Sequence, residues 1–239
     1  MGYHESLTEG RNAVLEAFRS GKTVDRLFVL DGCQDGPVKT ILREAKKQDT
    51  MVQYVKKERL DQLSETKNHQ GVIAYCAACE YAEVSDILEN AKKKGEAPFI
   101  VLLDGIEDPH NLGAIIRTAN QAGAHGVIIP KRRAVGLTAT VARTSAGAVN
   151  YTPVAKVTNL VTVMEDLKKE GMWFVCADMD GEEMYSLNLK GPIGLVIGNE
   201  GEGVSRLVKE HCDMVASIPM KGDIDSLNAS VAMGVLAYE

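Results

Sequence analysis

Residues 193–203 read IGLVIGNEGEG, an apolar run that ends in a glycine-rich turn before a helical pattern begins. Two other segments have the same arrangement. Residues 111–117, NLGAIIR, follow the apolar run 99–103, and residues 226–228, SLN, follow the apolar run 214–218. In open α/β sheets, ligands bind at this strand-to-helix edge. Three such loops, each with polar side chains or glycines, predict an active site built from strand ends.

The regular alternation of strands and helices after residue 98 predicts a parallel α/β sheet. Strands that read as continuous apolar runs are buried on both faces, as the strands of parallel sheets are. The predicted strands are residues 99–103, 126–129, 173–177, 193–197 and 214–218, and the predicted helices are residues 112–122, 160–170, 204–210 and 227–238.

The first 80 residues predict a separate, small α/β domain. Its predicted helices are residues 11–19, 38–47 and 56–63, and its predicted strands are residues 26–30, 51–55 and 72–79. Residues 81–97 are charged, contain a lysine run and end at Pro98, which is typical of a connector. We therefore expect domains at residues 1–80 and 98–239, joined by a linker at 81–97.

Composition favours a soluble, cytoplasmic protein. The chain has 239 residues, 45% of them hydrophobic, so a sizeable core can form. Its apolar runs are far shorter than a membrane span, and residues 1–9 are too polar for a signal peptide. Five scattered cysteines indicate free thiols. Cys76 and Cys79 lie on a predicted strand, where side chains three apart face opposite ways, so we expect no metal site.

The charge distribution is compatible with a nucleic-acid partner. The formal net charge of −6 argues against a broad basic surface. However, Lys131, Arg132 and Arg133 form a compact basic cluster directly after a predicted strand, and Arg117 and Arg143 lie near it in sequence. A solvated loop would explain such a triplet, but its position at the functional edge of the sheet favours phosphate binding.

The glycine-rich turn after residue 197 predicts a site for a positively charged ligand. It is not a GxGxxG sequence, and it lacks the Gly-Lys-Ser/Thr ending of a nucleotide-binding P-loop. Glu200 and Glu202 would repel phosphates, whereas they would attract a cation. The glycines allow the backbone to approach a ligand closely.

Four polar side chains in the three segments need an explanation. Asn111 is a good N-cap for the helix that follows it, and Ser226 is an ordinary N-cap candidate. Asn228 would then lie in the first helical turn with its amide available. Arg117 lies among apolar neighbours and must reach a partner, which is either a structural salt bridge or a ligand.

Together, the three segments resemble the three motifs of the SpoU family, within the SPOUT class of knotted methyltransferases. The resemblance covers residue 100 to the end of the chain, and this combination of motifs is highly specific. Residues 10–14, GRNAV, and 69–72, HQGV, are similar to that family's substrate-binding domain. Residues 108–113, DPHNLG, and 130–138, PKRRAVGLT, resemble bacterial enzymes that methylate a guanosine ribose 2′-oxygen in large-subunit (23S) ribosomal RNA.

The resemblance implies an α/β fold whose C-terminal parallel sheet carries a deep trefoil knot. A small α/β domain of ribosomal-protein type would precede it and bind RNA. The knot would hold S-adenosylmethionine, and the enzyme would be a homodimer with its site near the interface. The implied cofactor contacts are Gly198, Ile218, Leu227 and Met220, with Thr144, Ser145, Ala146 and Gly147 lining the same pocket. The expected RNA contacts are Lys131, Arg132, Arg133, Arg143 and Arg11.

The residues that match the family's catalytic and substrate-positioning residues are Asn111, Arg117, Glu200, Ser226 and Asn228. The resemblance assigns the proton-removing role to Arg117. An arginine is effectively always charged, so we expect Arg117 to clamp an RNA phosphate and to stabilise the developing alkoxide instead. Glu200 or water would accept the proton, unless Glu200 only braces the loop.

Three other functions fit the sequence less well. The same chemistry could act on transfer RNA or on another ribosomal site, because the motifs bind only cofactor and ribose. A ribosome-assembly factor could use RNA binding rather than methylation, but the intact motif residues favour catalysis. A nucleotide-binding α/β protein would need the P-loop lysine that this chain lacks.

Overall fold

The computed structural model describes residues 6–224 and 226–239, apart from the side chain of Ser6. The chain divides into two compact units. One runs up to Glu80 and takes in Gly136–Ala139, and the other comprises Tyr81–Val135 and Thr140–Glu239. In the described part of the chain, no helix is long and apolar enough to cross a membrane.

The first unit is a mixed sheet covered by helices on both faces. Its elements are β1 Ser6–Glu9, α1 Arg11–Arg19, β2 Val24–Leu30, α2 Gly36–Lys47, β3 Met51–Val55, α3 Lys57–Leu63 and β4 Val72–Cys76. Over the described residues the strand order is β1-β4-β2-β3, with β2 and β3 parallel and β4 antiparallel to its neighbours. Alternate residues of β2 face opposite ways, so Leu27 packs with α1 and α2 while Phe28 packs with Leu60 of α3.

The second unit is a parallel sheet, as predicted. Its elements are α4 Val84–Lys94, β5 Phe99–Asp104, α5 Pro109–Gln121, β6 Gly126–Pro130, α6 Ala139–Thr144, β7 Val154–Val157, α7 Leu160–Lys169, β8 Trp173–Glu183, β9 Ile193–Gly198, α8 Arg206–Glu210, β10 Met214–Ser217 and α9 Ala229–Ala237. Over the described residues the order is β10-β8-β9-β5-β6-β7, and every pairing is parallel. Every residue of β9 is buried, as its apolar sequence predicted.

The segment that we expected to be a connector belongs to the second unit. It contains α4, whose Ile87 and Ala91 are buried. Gly126 of β6 makes room for this helix, because a Cβ atom there would lie 2.5 Å from Cγ1 of Ile87. Charged residues on the exposed face of α4 hide its narrow apolar stripe, which is why composition alone suggested a linker.

Strand β8 is longer than predicted, and its pairing with β10 is interrupted. The partner of Val215 is Cys176, but the partner of Ala216 is Glu182. Residues 177–181 therefore lie outside the regular ladder. Gly181, the last residue of this bulge, allows strands β8 and β10 to approach each other again. A Cβ atom at this position would lie 2.5 Å from the Val215 carbonyl oxygen.

Candidate active site

The three segments meet because their strands are parallel and two of the strands are neighbours. Asp104 at the end of β5 is in register with Gly198 at the end of β9. The β5–α5 loop and the glycine-rich turn after β9 therefore leave the sheet side by side. Helix α9, which follows the third segment, packs against both α5 and β9.

A hydrogen-bonded cluster of three side chains joins these segments. Asn111 Nδ2 donates to Glu200 Oε1 over 3.1 Å, and Asn228 Nδ2 donates to Asn111 Oδ1 over 2.9 Å. Asn228 Nδ2 also donates to Glu200 Oε1. The second carboxylate oxygen of Glu200 has no partner among the described residues. We call Asn111, Glu200 and Asn228 the amide–carboxylate cluster.

The helix caps differ from the prediction at both asparagines. Asp108 is the N-cap of α5 and accepts a hydrogen bond from His110 N over 3.0 Å, so Asn111 lies inside the first turn. Pro109 occupies the first helical position, where its fixed φ suits the helix. Asn228, not Ser226, is the N-cap of α9. Its Oδ1 caps the helix while its Nδ2 remains available for the cluster.

The glycine-rich turn is folded tightly on itself. Asn199 Oδ1 accepts hydrogen bonds from Gly201 N and Glu202 N over 2.9 and 2.6 Å. Asn199 O accepts a third from Gly203 N over 3.0 Å. A Cβ atom on Gly198 would lie 2.0 Å from the carbonyl carbon of Gly203, so only glycine fits at the end of β9. This turn fixes the backbone that carries Glu200.

A cavity of about 330 Å³ lies beside the turn. Six predicted site residues are part of its lining: Gly198, Glu200, Ile218, Met220, Ser226 and Leu227. The bulge of β8 supplies another wall, with Asp178 and Asp180. Its volume lies near the lower end of the range of about 300–1,000 Å³ for small-molecule sites.

The charge of this cavity suits a cation. Its lining includes the carboxylates of Asp178, Asp180, Glu200 and Glu202, and no lysine or arginine of the described chain is part of it. S-adenosylmethionine carries a positively charged sulfur and an ammonium group, so the lining fits this cofactor. Among the described residues, no group of three or more His, Cys, Asp or Glu is arranged to hold a metal ion.

An ion pair fixes the acidic wall of the cavity. Lys209 Nζ of α8 lies 2.8 Å from Asp178 Oδ2, and both side chains are at least two-thirds buried. Burial tends to raise the pKa of Asp178, but hydrogen bonds from Lys209 and from Asp180 N–H lower it more, so the net shift is downward. The hydrogen bond to Asp178 raises the pKa of Lys209. The bulge of β8 is thus tied to α8.

The segment Thr144–Gly147 has other contacts in this structure, and its predicted place at the cofactor stays a prediction. None of these four residues is among the described lining residues. Thr144 packs against α5 at Gly113, where a Cβ atom would lie 1.8 Å from the Thr144 hydroxyl oxygen. Ser145 is fully buried and donates to Ala142 O over 3.0 Å. Thr144 thus serves the close packing of α6 on α5.

A second, larger cavity of about 620 Å³ adjoins the first. The turn 199–203 lines both cavities, and Asn111 and Glu200 line the larger one together. Arg133 also lines it, with a left-handed backbone conformation (φ 54°). The basic cluster therefore places one guanidinium group at the same cavity as the amide–carboxylate cluster.

The predicted basic residues of the second unit have different surroundings. Arg132 and Arg133 are exposed, and Lys131 is half-buried with other interactions. Arg143 is exposed and donates to Thr140 Oγ1 over 3.1 Å. Arg117 is exposed on α5 and has no hydrogen-bond or ion-pair partner among the described residues.

Arg11 of the first unit is engaged within that unit. Its Nη2 lies 2.5 Å from Asp35 Oδ2, and its Nε donates to Gln70 O over 3.1 Å. Asp35 is in turn the N-cap of α2, where the hydrogen bond from Val38 N is the main cause of its lowered pKa. Arg11 therefore joins α1, α2 and the loop before β4, and its predicted contact with RNA stays a prediction.

Comparisons with known proteins agree with these observations. A sequence model described as the SpoU rRNA Methylase family matches residues 98–238, and one described as RNA 2'-O ribose methyltransferase substrate binding matches residues 7–82. The chain is 49% identical to YacO of Bacillus subtilis, which is assigned to the TrmH family of tRNA/rRNA methyltransferases. That alignment covers 96% of this chain and 92% of YacO.

Two solved structures share the fold and were determined with AdoMet bound. The SpoU methyltransferase AviRb from Streptomyces viridochromogenes is 26% identical with a TM-score of 0.61, covering 98% of this chain and 88% of AviRb. An rRNA methyltransferase from Sinorhizobium meliloti is 25% identical with a TM-score of 0.60, covering 97% of this chain and 85% of that one. This chain therefore belongs to the SpoU family and is an S-adenosylmethionine-dependent RNA methyltransferase.

Proposed function

We propose that this enzyme methylates the ribose 2′-oxygen of a guanosine in 23S ribosomal RNA. The amide–carboxylate cluster carries the proposal, because it holds a carboxylate at the wall shared by two cavities. The smaller cavity suits the cofactor, and the larger cavity would receive the target nucleotide. The similarity of residues 108–113 and 130–138 to guanosine-specific enzymes supports the choice of base and RNA.

Gly198, Ile218, Met220 and Leu227 would hold S-adenosylmethionine, with the acidic lining opposite its positive charge. When bound, the cofactor supplies a methyl group that its positively charged sulfur has already activated. The protein then has to align the ribose 2′-oxygen with that methyl group. Alignment alone can lower a barrier by about 7–11 kcal/mol in favourable cases.

Glu200 would accept the proton that the 2′-hydroxyl loses. The cofactor would supply its methyl group to the 2′-oxygen and leave as a neutral thioether, and the 2′-hydroxyl proton would go to Glu200 or to water. Asn111 and Asn228 occupy one carboxylate oxygen of Glu200 and leave the other for this proton. The two amides thereby orient the acceptor before the RNA arrives.

Arg117 would bind an RNA phosphate beside the reacting ribose. Its exposure and lack of partners among the described residues leave its whole guanidinium group available. A guanidinium group binds phosphate through two parallel hydrogen bonds, which lysine cannot do. We expect Arg117→Lys to lose most turnover although it retains the charge. Near-normal turnover of Arg117→Lys would contradict a bidentate clamp.

RNA binding would depend on exposed arginines, so it should weaken steeply with salt. If Arg117, Arg132, Arg133 and Arg143 each contact one phosphate, affinity should fall about 50-fold between roughly 50 and 200 mM salt. A flat dependence would count against a phosphate-dominated interface. Filter binding of RNA fragments across this salt range measures it.

A homodimer would cover the apolar surface of α9, which reads ASVAMGVLA. A helix that is apolar on every side is normally buried, yet Val231 is 50% exposed and the neighbouring Tyr238 is 65% exposed. We expect Val231→Glu to give monomers in light scattering. We also propose that the C-terminal segment forms the trefoil knot implied by the family, which an experimental structure would test.

The experiment that tests the substrate is methyl transfer from labelled S-adenosylmethionine to unmodified 23S ribosomal RNA and to bulk transfer RNA. A 2′-O-methylated linkage resists alkaline cleavage, which maps the modified position. Label at one guanosine of the ribosomal RNA is the expected result. Label in transfer RNA would keep the mechanism and replace the substrate, which is the alternative that the tRNA/rRNA assignment of YacO leaves open.

A further inference from the structure

Ser230, the second residue of α9, donates two hydrogen bonds to the side chain of Asn228. Its backbone N–H reaches Asn228 Oδ1 over 3.0 Å, and its hydroxyl reaches the same oxygen over 2.6 Å. Both donors lie on the side of Asn228 away from Glu200 and Asn111, which receive hydrogen bonds from Asn228 Nδ2.

These contacts fix which way the Asn228 amide points. If the amide were rotated by half a turn, its NH2 group would face two donors, and its oxygen would face the acceptors on Glu200 and Asn111. The backbone N–H can only donate, so it selects the observed orientation. The hydroxyl adds a second donor at shorter distance, which restricts rotation and polarises the amide toward Glu200.

We propose that the Ser230 hydroxyl is a positioning group for methyl transfer, acting through Asn228 on Glu200. This rests on the proposed role of the amide–carboxylate cluster in accepting the proton of the 2′-hydroxyl. Ser230 lies at the second helical position and does not line either cavity among their described residues. It therefore controls the geometry of the site without touching substrate.

A matched pair of substitutions separates a positioning role of Ser230 from an effect on the stability of α9. Alanine has a higher helix propensity than serine, so Ser230→Ala should not weaken α9 as a helix. Ser85 occupies the same second position in α4, after the N-cap Glu83, and its side chain is exposed. Ser85→Ala is thus a matched control for any general effect of the substitution.

The experiment measures kcat, the KM for RNA, the Kd for S-adenosylmethionine and Tm for wild type, Ser230→Ala, Ser230→Thr and Ser85→Ala. We expect Ser230→Ala to lower kcat about 10-fold. The KM for RNA and the Kd for S-adenosylmethionine should stay within about two-fold of wild type, and the Tm within about 3 °C. Ser230→Thr retains a hydroxyl and should recover most of the kcat. Ser85→Ala should match wild type.

A readout that does not need turnover is the side-chain NH2 signal of Asn228 in an NMR spectrum of the selectively labelled protein. Ser230→Ala should move this signal and speed its exchange with solvent, while Ser85→Ala should not. An unchanged kcat and an unchanged Asn228 signal in Ser230→Ala would overturn the proposal, and so would a parallel fall of kcat, Kd and Tm. If wild type methylates neither RNA, the proposed function fails first and the role of Ser230 falls with it.

Discussion

Replacing Asn228 with aspartate should separate the two roles of this side chain. Its Oδ1 caps α9 by accepting hydrogen bonds from Ser230, and its Nδ2 donates to Asn111 and Glu200. Aspartate keeps an acceptor for the helix but loses the donor. Asn228→Ala loses both. The two variants therefore make different predictions for stability and the same prediction for catalysis.

The expected stability changes follow from the helix cap and from the new charge. Loss of an N-cap side chain costs about 1 kcal/mol, so Asn228→Ala should lower the free energy of unfolding by that amount. Aspartate caps as well as asparagine does. Its charge would lie about 3 Å from Glu200, and two exposed unit charges at that distance repel by about 1.4 kcal/mol in water. That repulsion should weaken as salt is added.

Catalysis should fall more than about 100-fold in both variants, because Glu200 loses a hydrogen bond and Asn111 loses its donor. Urea denaturation at low and high salt measures stability, and single-turnover methyl transfer measures the chemical step. Asn159 provides a control for capping, since its Oδ1 accepts from Thr162 N at the start of α7. Asn159→Ala should cost similar stability and leave methyl transfer unchanged.

The proposed need for the Asn228 amide donor is contradicted if Asn228→Asp transfers methyl groups within a few-fold of the wild-type rate. That result would mean that the amide donor is unnecessary and that Asn228 is only a helix cap. It also fails if Asn159→Ala loses as much activity as Asn228→Ala, because activity would then follow stability rather than the amide–carboxylate cluster.

Three further predictions test other parts of the site. Gly198→Ala should abolish cofactor binding, measured by calorimetry, because the new Cβ atom would lie 2.0 Å from the carbonyl carbon of Gly203. The control Gly36→Ala should leave cofactor binding unchanged, because no atom lies within 4 Å of a Cβ atom at that position. Arg133→Ala should raise the KM for RNA at least about 10-fold more than Arg132→Ala, because only Arg133 lines the larger cavity. The Asp178–Lys209 pair should stabilise the protein at pH values above 3.8, the ordinary pKa of aspartate. This stabilisation should disappear as the pH falls through the lowered pKa of Asp178. The Tm values of wild type and Asp178→Asn should therefore converge in acid.

The strand ends and their residues could be predicted because they depend on local patterns. Continuous apolar runs give buried parallel strands, and β5, β6, β9 and β10 begin and end close to the predicted positions, whereas β8 is longer and β7 was not predicted. Because the carboxyl ends of parallel strands share one edge, the sequence alone was enough to expect Asn111, Glu200 and Asn228 close together.

The remaining features depend on tertiary contacts that a local pattern does not contain. The sequence predicted Asn111 and Ser226 as the N-caps of α5 and α9. In the structure the N-caps are Asp108 and Asn228. The ion pair of Arg11 with Asp35 could not be predicted either, because it forms only after α1 and α2 have packed. The bulge of β8 follows from an interrupted pairing with β10, and it brings acidic side chains to the cavity.

The position of Asn228 at the start of a helix restrains an exposed side chain through the hydrogen bond of the helix cap. A catalytic amide on a mobile loop would lose most of its hydrogen bonds to water, since each is worth only about 1 kcal/mol net. Here the amide oxygen satisfies the helix start, so the orientation of the NH2 group is fixed by the folding of α9 itself. The backbone of Asn111 lies in the first turn of α5, which Asp108 caps. Asn111 and Asn228, each at the N-terminus of a helix, therefore both donate to Glu200. The conformational entropy of ordering these side chains is then lost when the helices form rather than when RNA binds.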